Sequence, residues 1–224
     1  MNTTTSSPYL TALAGGVPTR VPVWFMRQAG RYLPEYRALR QDHTFETMLH
    51  TPELVAEVTL QPVKRLDVDA AIFFSDILVL PEALGMELHY IEGTGPVFGE
   101  PFRRPEQLRP FDREAVDFLA AGMRATVANS PVPVIGFAGT PWTVALYMVE
   151  GSHGRDFLQA RKVLREDPVR FGAILDAVAE ATIEYLAVQL DAGASAIQLF
   201  DSWGGLLDRD EHLTVAHPRT ERII

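Results

Sequence analysis

The chain has 224 residues, 29 acidic against 20 basic side chains for a net charge of -9, and no cysteine. Its length suits one large domain or two small ones. The missing cysteines exclude disulfides, thiolate metal sites and a cysteine nucleophile, and the negative balance argues against a general nucleic-acid binder.

The opening Met1–Pro8 is polar and uncharged and lacks the basic and apolar regions of a signal peptide. A flexible N-terminus over residues 1–14 is expected, in a cytoplasmic protein. No apolar run approaches the ~18 residues of a membrane span. Gly15-Gly16 and Pro18 lead into Val21–Met26, a short apolar run read as the first strand. Arg27 and Arg31 follow, with Gln28 and Gly30 between them. The guanidinium fork matches a carboxylate or phosphate bidentately, so the run predicts an anion site at a strand's C-terminal end. Two solvated loop arginines are the alternative.

Thr51-Pro52-Glu53 supplies an N-cap, a first-position proline and a first-turn acid, which predicts a helix over 51–66 that Pro62 should kink or shorten. Ala70–Phe74 is continuously apolar and reads as a strand buried on both faces, ending at Ser75-Asp76. Residues 86–102 alternate about Gly93-Thr94-Gly95 and predict a β-hairpin outside the main repeat. A helix over 114–128 and a third strand, Val132–Ala138, come next. Thr140-Pro141 opens a short helix carrying Tyr147, and residues 155–166 form a helix with one basic face. Asp167-Pro168 opens a longer helix with the stripe Phe171, Ile174, Leu175, Val178, Thr182, Tyr185 and Gln189, stopped by Gly193. Ala196–Phe200 is the fourth strand, followed by Asp201-Ser202-Trp203-Gly204-Gly205. The remainder reads as a polar run to Arg222 before Ile223-Ile224.

Apolar strands alternating with amphipathic helices predict an α/β fold with a parallel sheet. Polar or small residues follow each strand, where (β/α)8 barrels and doubly wound sheets alike hold their ligands. No glycine-rich phosphate loop follows any strand. Four strands fall short of the eight that a closed barrel needs. Residues 15–224 are therefore expected to be a fragment of a barrel or an open sheet, and the apolar ending favours the fragment.

Asp76 follows a fully apolar strand, so its carboxyl is expected to be buried and to need donors. A helix N-cap acid, or an arginine-paired structural acid, are the alternatives. Tyr147 suits a core position as well as a site. Ser202 stands beside Gly204-Gly205, where a ligand can approach the backbone, although a turn-forming serine is the more ordinary reading. The six histidines show no HxxxH or HExxH pairing, so they read as solvated or structural, with no metal site.

Arg27-Gln28-Ala29-Gly30-Arg31-Tyr32-Leu33-Pro34-Glu35-Tyr36 resembles the N-terminal signature of the uroporphyrinogen decarboxylase family. Ala70–Leu84, Gly136–Gly151 and Gln198–Gly205 resemble three later signatures, each at the end of a predicted strand. The resemblance implies the N-terminal portion of a (β/α)8 TIM barrel, about four βα units plus the hairpin, usually homodimeric and without a cofactor. It implies loss of CO2 from the four acetate side chains of a tetrapyrrole, uroporphyrinogen III, giving coproporphyrinogen III. By resemblance Arg27, Gln28, Arg31, Asp76, Tyr147 and Ser202 bind substrate, with Asp76, Arg27 and Arg31 catalytic. The family's C-terminal histidine has no counterpart after Gly205, so activity is expected of a longer protein. Two alternatives stand beside this. A zinc-dependent corrinoid methyltransferase of the same superfamily wants cysteine ligands, which the chain lacks. A tetrapyrrole-binding module without catalysis would use the same residues.

Overall fold

The computed structural model describes residues 7–26, 32–91 and 93–224. In chain order its helices and strands are α1 (Pro8–Leu13), α2 (Pro34–Asp42), α3 (Phe45–His50), α4 (Pro52–Leu66), β1 (Ala71–Ile72), α5 (Val79–Ala83), β2 (Leu88–Ile91), β3 (Gly95–Phe98), α6 (Asp117–Asn129), β4 (Val134–Gly139), α7 (Pro141–Glu150), α8 (Leu158–Glu166), α9 (Pro168–Asp191), β5 (Ala196–Phe200), α10 (Arg209–Glu211) and α11 (His217–Ile223). The chain forms two compact units, one of Met1–Ser75, Asp117–Phe137 and Val188–Gln198, the other of Asp76–Val116, Ala138–Ala187 and Leu199–Ile224. Among the described residues no helix is long and apolar enough to cross a membrane.

The first unit is built on a sheet of order β1-β4-β5, with β1 parallel to β4 and Ala71 opposite Val134. Leu60 and Val63 on α4 pack with Val68 and Ala71 into one apolar cluster, which seats the helix on the sheet. The helix runs through Pro62 to Leu66 and is not shortened. Thr51 precedes it as expected, but makes no side-chain cap; its hydroxyl donates instead to the Thr47 carbonyl at 2.7 Å.

Two expected strands are corrected. Ala70–Phe74 narrows to the two residues of β1: its bonds to β4 come from the Ala71 and Phe73 N–H groups, while the Phe74 N–H turns to the Thr59 hydroxyl at 2.9 Å. Val21–Met26 forms no strand at all. There the Asp69 carboxylate accepts the Val23 N–H at 2.7 Å, while the Val23 carbonyl accepts the Asp69 N–H at 2.8 Å. The Arg20 guanidinium closes on both oxygens of the same carboxylate. One acid thus holds the segment at Val23, and Val21, Val23, Phe25 and Met26 stay exposed.

In the second unit β2 and β3 form the expected antiparallel hairpin, with Leu88 opposite Phe98 and Ile91 opposite Gly95. The Phe98 N–H donates to the Gly151 carbonyl at 2.8 Å, which joins the hairpin to the end of α7. The predicted stripe on α9 is fully buried from Phe171 to Tyr185. Asp167 caps that helix by accepting the Arg170 N–H at 3.0 Å. The polar run after Gly205 is largely helical. Asp208 and Glu211 form a reciprocal capping box, a π-helical turn covers His212–Ala216, and α11 follows. Arg219 on α11 pairs with Asp176 on α9 at 2.9 Å.

Candidate active site

Asp76, Tyr147 and Ser202 all belong to the second unit. Asp76 Oδ1 accepts the Leu78 N–H at 2.8 Å, a turn that leads into α5. The residue keeps some exposed surface, yet its carboxyl lies among protein atoms. Burial pushes its pKa above the usual carboxylate range, and the bond from Leu78 pulls part of the way back. Asp76 does not N-cap α5, whose cap is Leu78, but turns the chain into it, with a carboxyl whose charged form is costly where it stands.

Tyr147 lies on the last turns of α7. That helix is opened by Thr140, whose hydroxyl accepts the Thr143 N–H at 3.3 Å, and is closed by Gly151 at φ +87°. Tyr147 is half-buried and joins Ile77, Leu78, Leu88 and Phe98 in one apolar cluster. The residues that follow Asp76 thereby touch the tyrosine's neighbourhood. Gly139 makes the approach possible. A Cβ there would lie 2.7 Å from Val144 on α7, closer than side chains tolerate, and a tight 3.3 Å from the Ile77 Cβ.

Ser202 is exposed on the loop that ends β5. Its neighbour Trp203 packs edge-on against Tyr147, with ring centroids 6.4 Å apart, and against Phe157 at 4.8 Å. Tyr147 thus belongs both to the apolar cluster that holds Ile77, the residue after Asp76, and to the ring cluster that holds Trp203, the residue after Ser202. Arg27, Gln28 and Arg31 lie outside the described residues.

Sequence reasoning missed two features. The His153 ring stacks on Tyr147 at 6.1 Å, although its isolation in the sequence reads as solvation. Asp201 accepts hydrogen bonds from the hydroxyls of Thr140 and Thr143, whereas the sequence offers only Thr140, as a helix cap. A usable signal was there: a carboxylate three residues before a Gly-Gly pair, at the end of a strand.

The family model described as Uroporphyrinogen decarboxylase (URO-D) matches residues 4–224. The chain belongs to the uroporphyrinogen decarboxylase family. It is 45% identical to a uroporphyrinogen decarboxylase of Mycolicibacterium paratuberculosis over 97% of its own length and 62% of the relative's. It is 46% identical to one from Xylella fastidiosa over 96% and 62%, and 45% identical to one from Arthrobacter sp. over 99% and 65%. The chain therefore spans about two thirds or less of these relatives. Among solved structures it resembles a methyltransferase from Methanosarcina mazei, with a TM-score of 0.79 and 21% identity over 96% of this chain and 65% of that one. That likeness shows the fold, an α/β architecture of the TIM-barrel type.

Proposed function

We propose that this protein is a uroporphyrinogen decarboxylase, a cofactor-independent carboxy-lyase that converts uroporphyrinogen III to coproporphyrinogen III in heme biosynthesis. The carrying observation is the family match over residues 4–224. The buried carboxyl of Asp76 fits the chemistry it would serve.

Each cycle replaces one acetate by a methyl group: a proton is taken up, the bond from the methylene to the carboxylate breaks, and CO2 leaves. The electrons of that bond need a sink. Protonation of a pyrrole carbon supplies one, as a delocalised cation. Asp76 accepts hydrogen bonds from the pyrrole N–H groups and, once ionised, faces that cation. Such charge stabilisation is worth most where water is scarce. The N–H donors also favour the ionised carboxylate and offset the burial that raises its pKa. Arg27 and Arg31 grip substrate carboxylates bidentately, while Gln28, Tyr147 and Ser202 hydrogen-bond the remaining acids. The net charge of -9 repels a polyanion at long range, so attraction is local to the arginines. A homodimer working in the cytoplasm, with no nucleic-acid or membrane partner, completes the reading.

Anaerobic incubation of the chain with uroporphyrinogen III tests it, with products oxidised and separated by carboxylate number. Stepwise loss from eight carboxylates toward four supports the reading. Binding without turnover leaves a tetrapyrrole-binding module, and neither binding nor turnover in a chain with a folded circular dichroism spectrum overturns it.

A further inference from the structure

Ser202 is flanked on both sides by bonds to one place, the first turn of α7. Before it, the Phe200 carbonyl accepts the Thr140 N–H at 2.9 Å. Asp201 Oδ1 then accepts the Thr140 hydroxyl at 3.0 Å and the Thr143 hydroxyl at 2.9 Å. After it, the Trp203 N–H donates to the Thr143 hydroxyl oxygen at 3.3 Å, and the Trp203 carbonyl accepts the Trp142 indole N–H at 2.9 Å. The helix side of this junction is rigid: Thr140, Trp142 and Thr143 are buried. The loop side is shaped to fit. A Cβ on Gly204 would stand 2.6 Å from Asp201 Oδ2, so the carboxylate occupies space that only glycine leaves open.

Asp201 is itself exposed, and a surface acid in a turn ordinarily satisfies its oxygens with water. Here one oxygen is spent on two hydroxyls of the helix that carries Tyr147. Thr140 and Tyr147 are two turns apart on that helix, about 10 Å along its axis. The carboxylate therefore sets where Ser202 stands relative to Tyr147.

We infer that Asp201 is a positioning residue: its carboxylate buckles the Ser202 loop to the first turn of α7 and fixes the spacing with which Ser202 and Tyr147 receive a substrate carboxyl group. The inference rests on the substrate reading given above. It assigns Asp201 no contact with substrate.

Two readouts test it, one of them independent of any substrate. Hydrogen–deuterium exchange reports the Trp203 amide, and anaerobic equilibrium binding of uroporphyrinogen III reports the grip. In Asp201→Ala the Trp203 amide exchanges about tenfold faster and affinity falls about tenfold, the scale of one hydrogen bond to a charged group. Asp201→Asn keeps an acceptor oxygen for both hydroxyls, so both readouts return to within about twofold of the unmodified chain. Thr143→Val keeps the fold's volume while removing one bond to Asp201 and the acceptor for Trp203, and it moves both readouts in the direction of the alanine variant. Faster exchange with unchanged affinity overturns the inference, as does unchanged exchange in both Asp201→Ala and Thr143→Val. Failure of Asp201→Asn to restore affinity assigns the carboxylate a direct role and overturns it too. If the unmodified chain does not bind uroporphyrinogen III, the proposed function fails first and the positioning role falls with it, while the exchange data separately show whether the buckle exists.

Discussion

Gln189 clasps the backbone of Phe137 with both ends of its amide. Oε1 accepts the Phe137 N–H at 2.8 Å, and Nε2 donates to the Phe137 carbonyl at 2.9 Å. The side chain is fully buried, and it serves β4 as a neighbouring strand would. Gly136 makes room, since a Cβ there would stand 2.7 Å from Gln189 Oε1.

Replacing Gln189 with Leu leaves a buried N–H and a buried carbonyl without that partner. Each costs about 1–3 kcal/mol when unsatisfied, so the loss is expected to lie well above that of an ordinary surface change. Chemical denaturation reads it. A midpoint within error of the unmodified chain would show that water replaces the amide at no cost.

Asp76 makes stability depend on pH in a direction that follows from its raised pKa. A carboxyl whose pKa is higher folded than unfolded binds protons more tightly in the native state. Its stabilising contribution is complete below the unfolded value and is lost as pH rises through the folded one. Asp76→Asn is neutral throughout and keeps an oxygen for the Leu78 N–H. The variant is therefore expected to melt above the unmodified chain at pH 7–8, with the gap closing under acid. Thermal scans across pH check this, and a gap that widens under acid would reverse the sign.

The same Asp76→Asn change is expected to lower decarboxylation by about 10²–10³-fold or more, because an amide cannot offset the cationic sink. Product carboxylate number over time measures it. Together the two readouts describe a group kept at the expense of stability, and wild-type turnover in a more stable variant would remove Asp76 from the reaction.

Arg31→Ala is expected to weaken binding of uroporphyrinogen III about tenfold or more, through loss of charge-assisted bonds to a substrate carboxylate. The loss should shrink as salt is raised. Affinity equal to that of the unmodified chain at low salt would count against the carboxylate grip.

Elements whose local chemistry agreed with their burial were legible in the sequence. Ala196–Phe200 is bounded by Gly193 and Asp201, and α9 carries a cap, a first-position proline and an unbroken stripe, so both fall where periodicity puts them. Val21–Met26 misled because an apolar run states that a segment suits a strand, and not whether backbone partners reach it; Asp69 takes the N–H that a ladder would use. The helices after Asp208 were missed because α11 is surface-lying and polar, held by pairs such as Arg219 with Asp176 rather than by an apolar stripe. Around the candidate site, Asp76 and Ser202 drew notice because a predicted strand ends just before them. The roles of Asp201, Thr143 and His153 were not legible, since their partners lie far away in sequence, or in a ring stack that spacing does not report.

The exposure of Val21–Met26 has a colloidal consequence. The exposed apolar side chains of Val21, Val23, Phe25 and Met26 form a stretch on which another chain can associate. Self-association will then compete with folding and with ligand as the chain is concentrated, so protein concentration becomes a variable to be held fixed in each titration above.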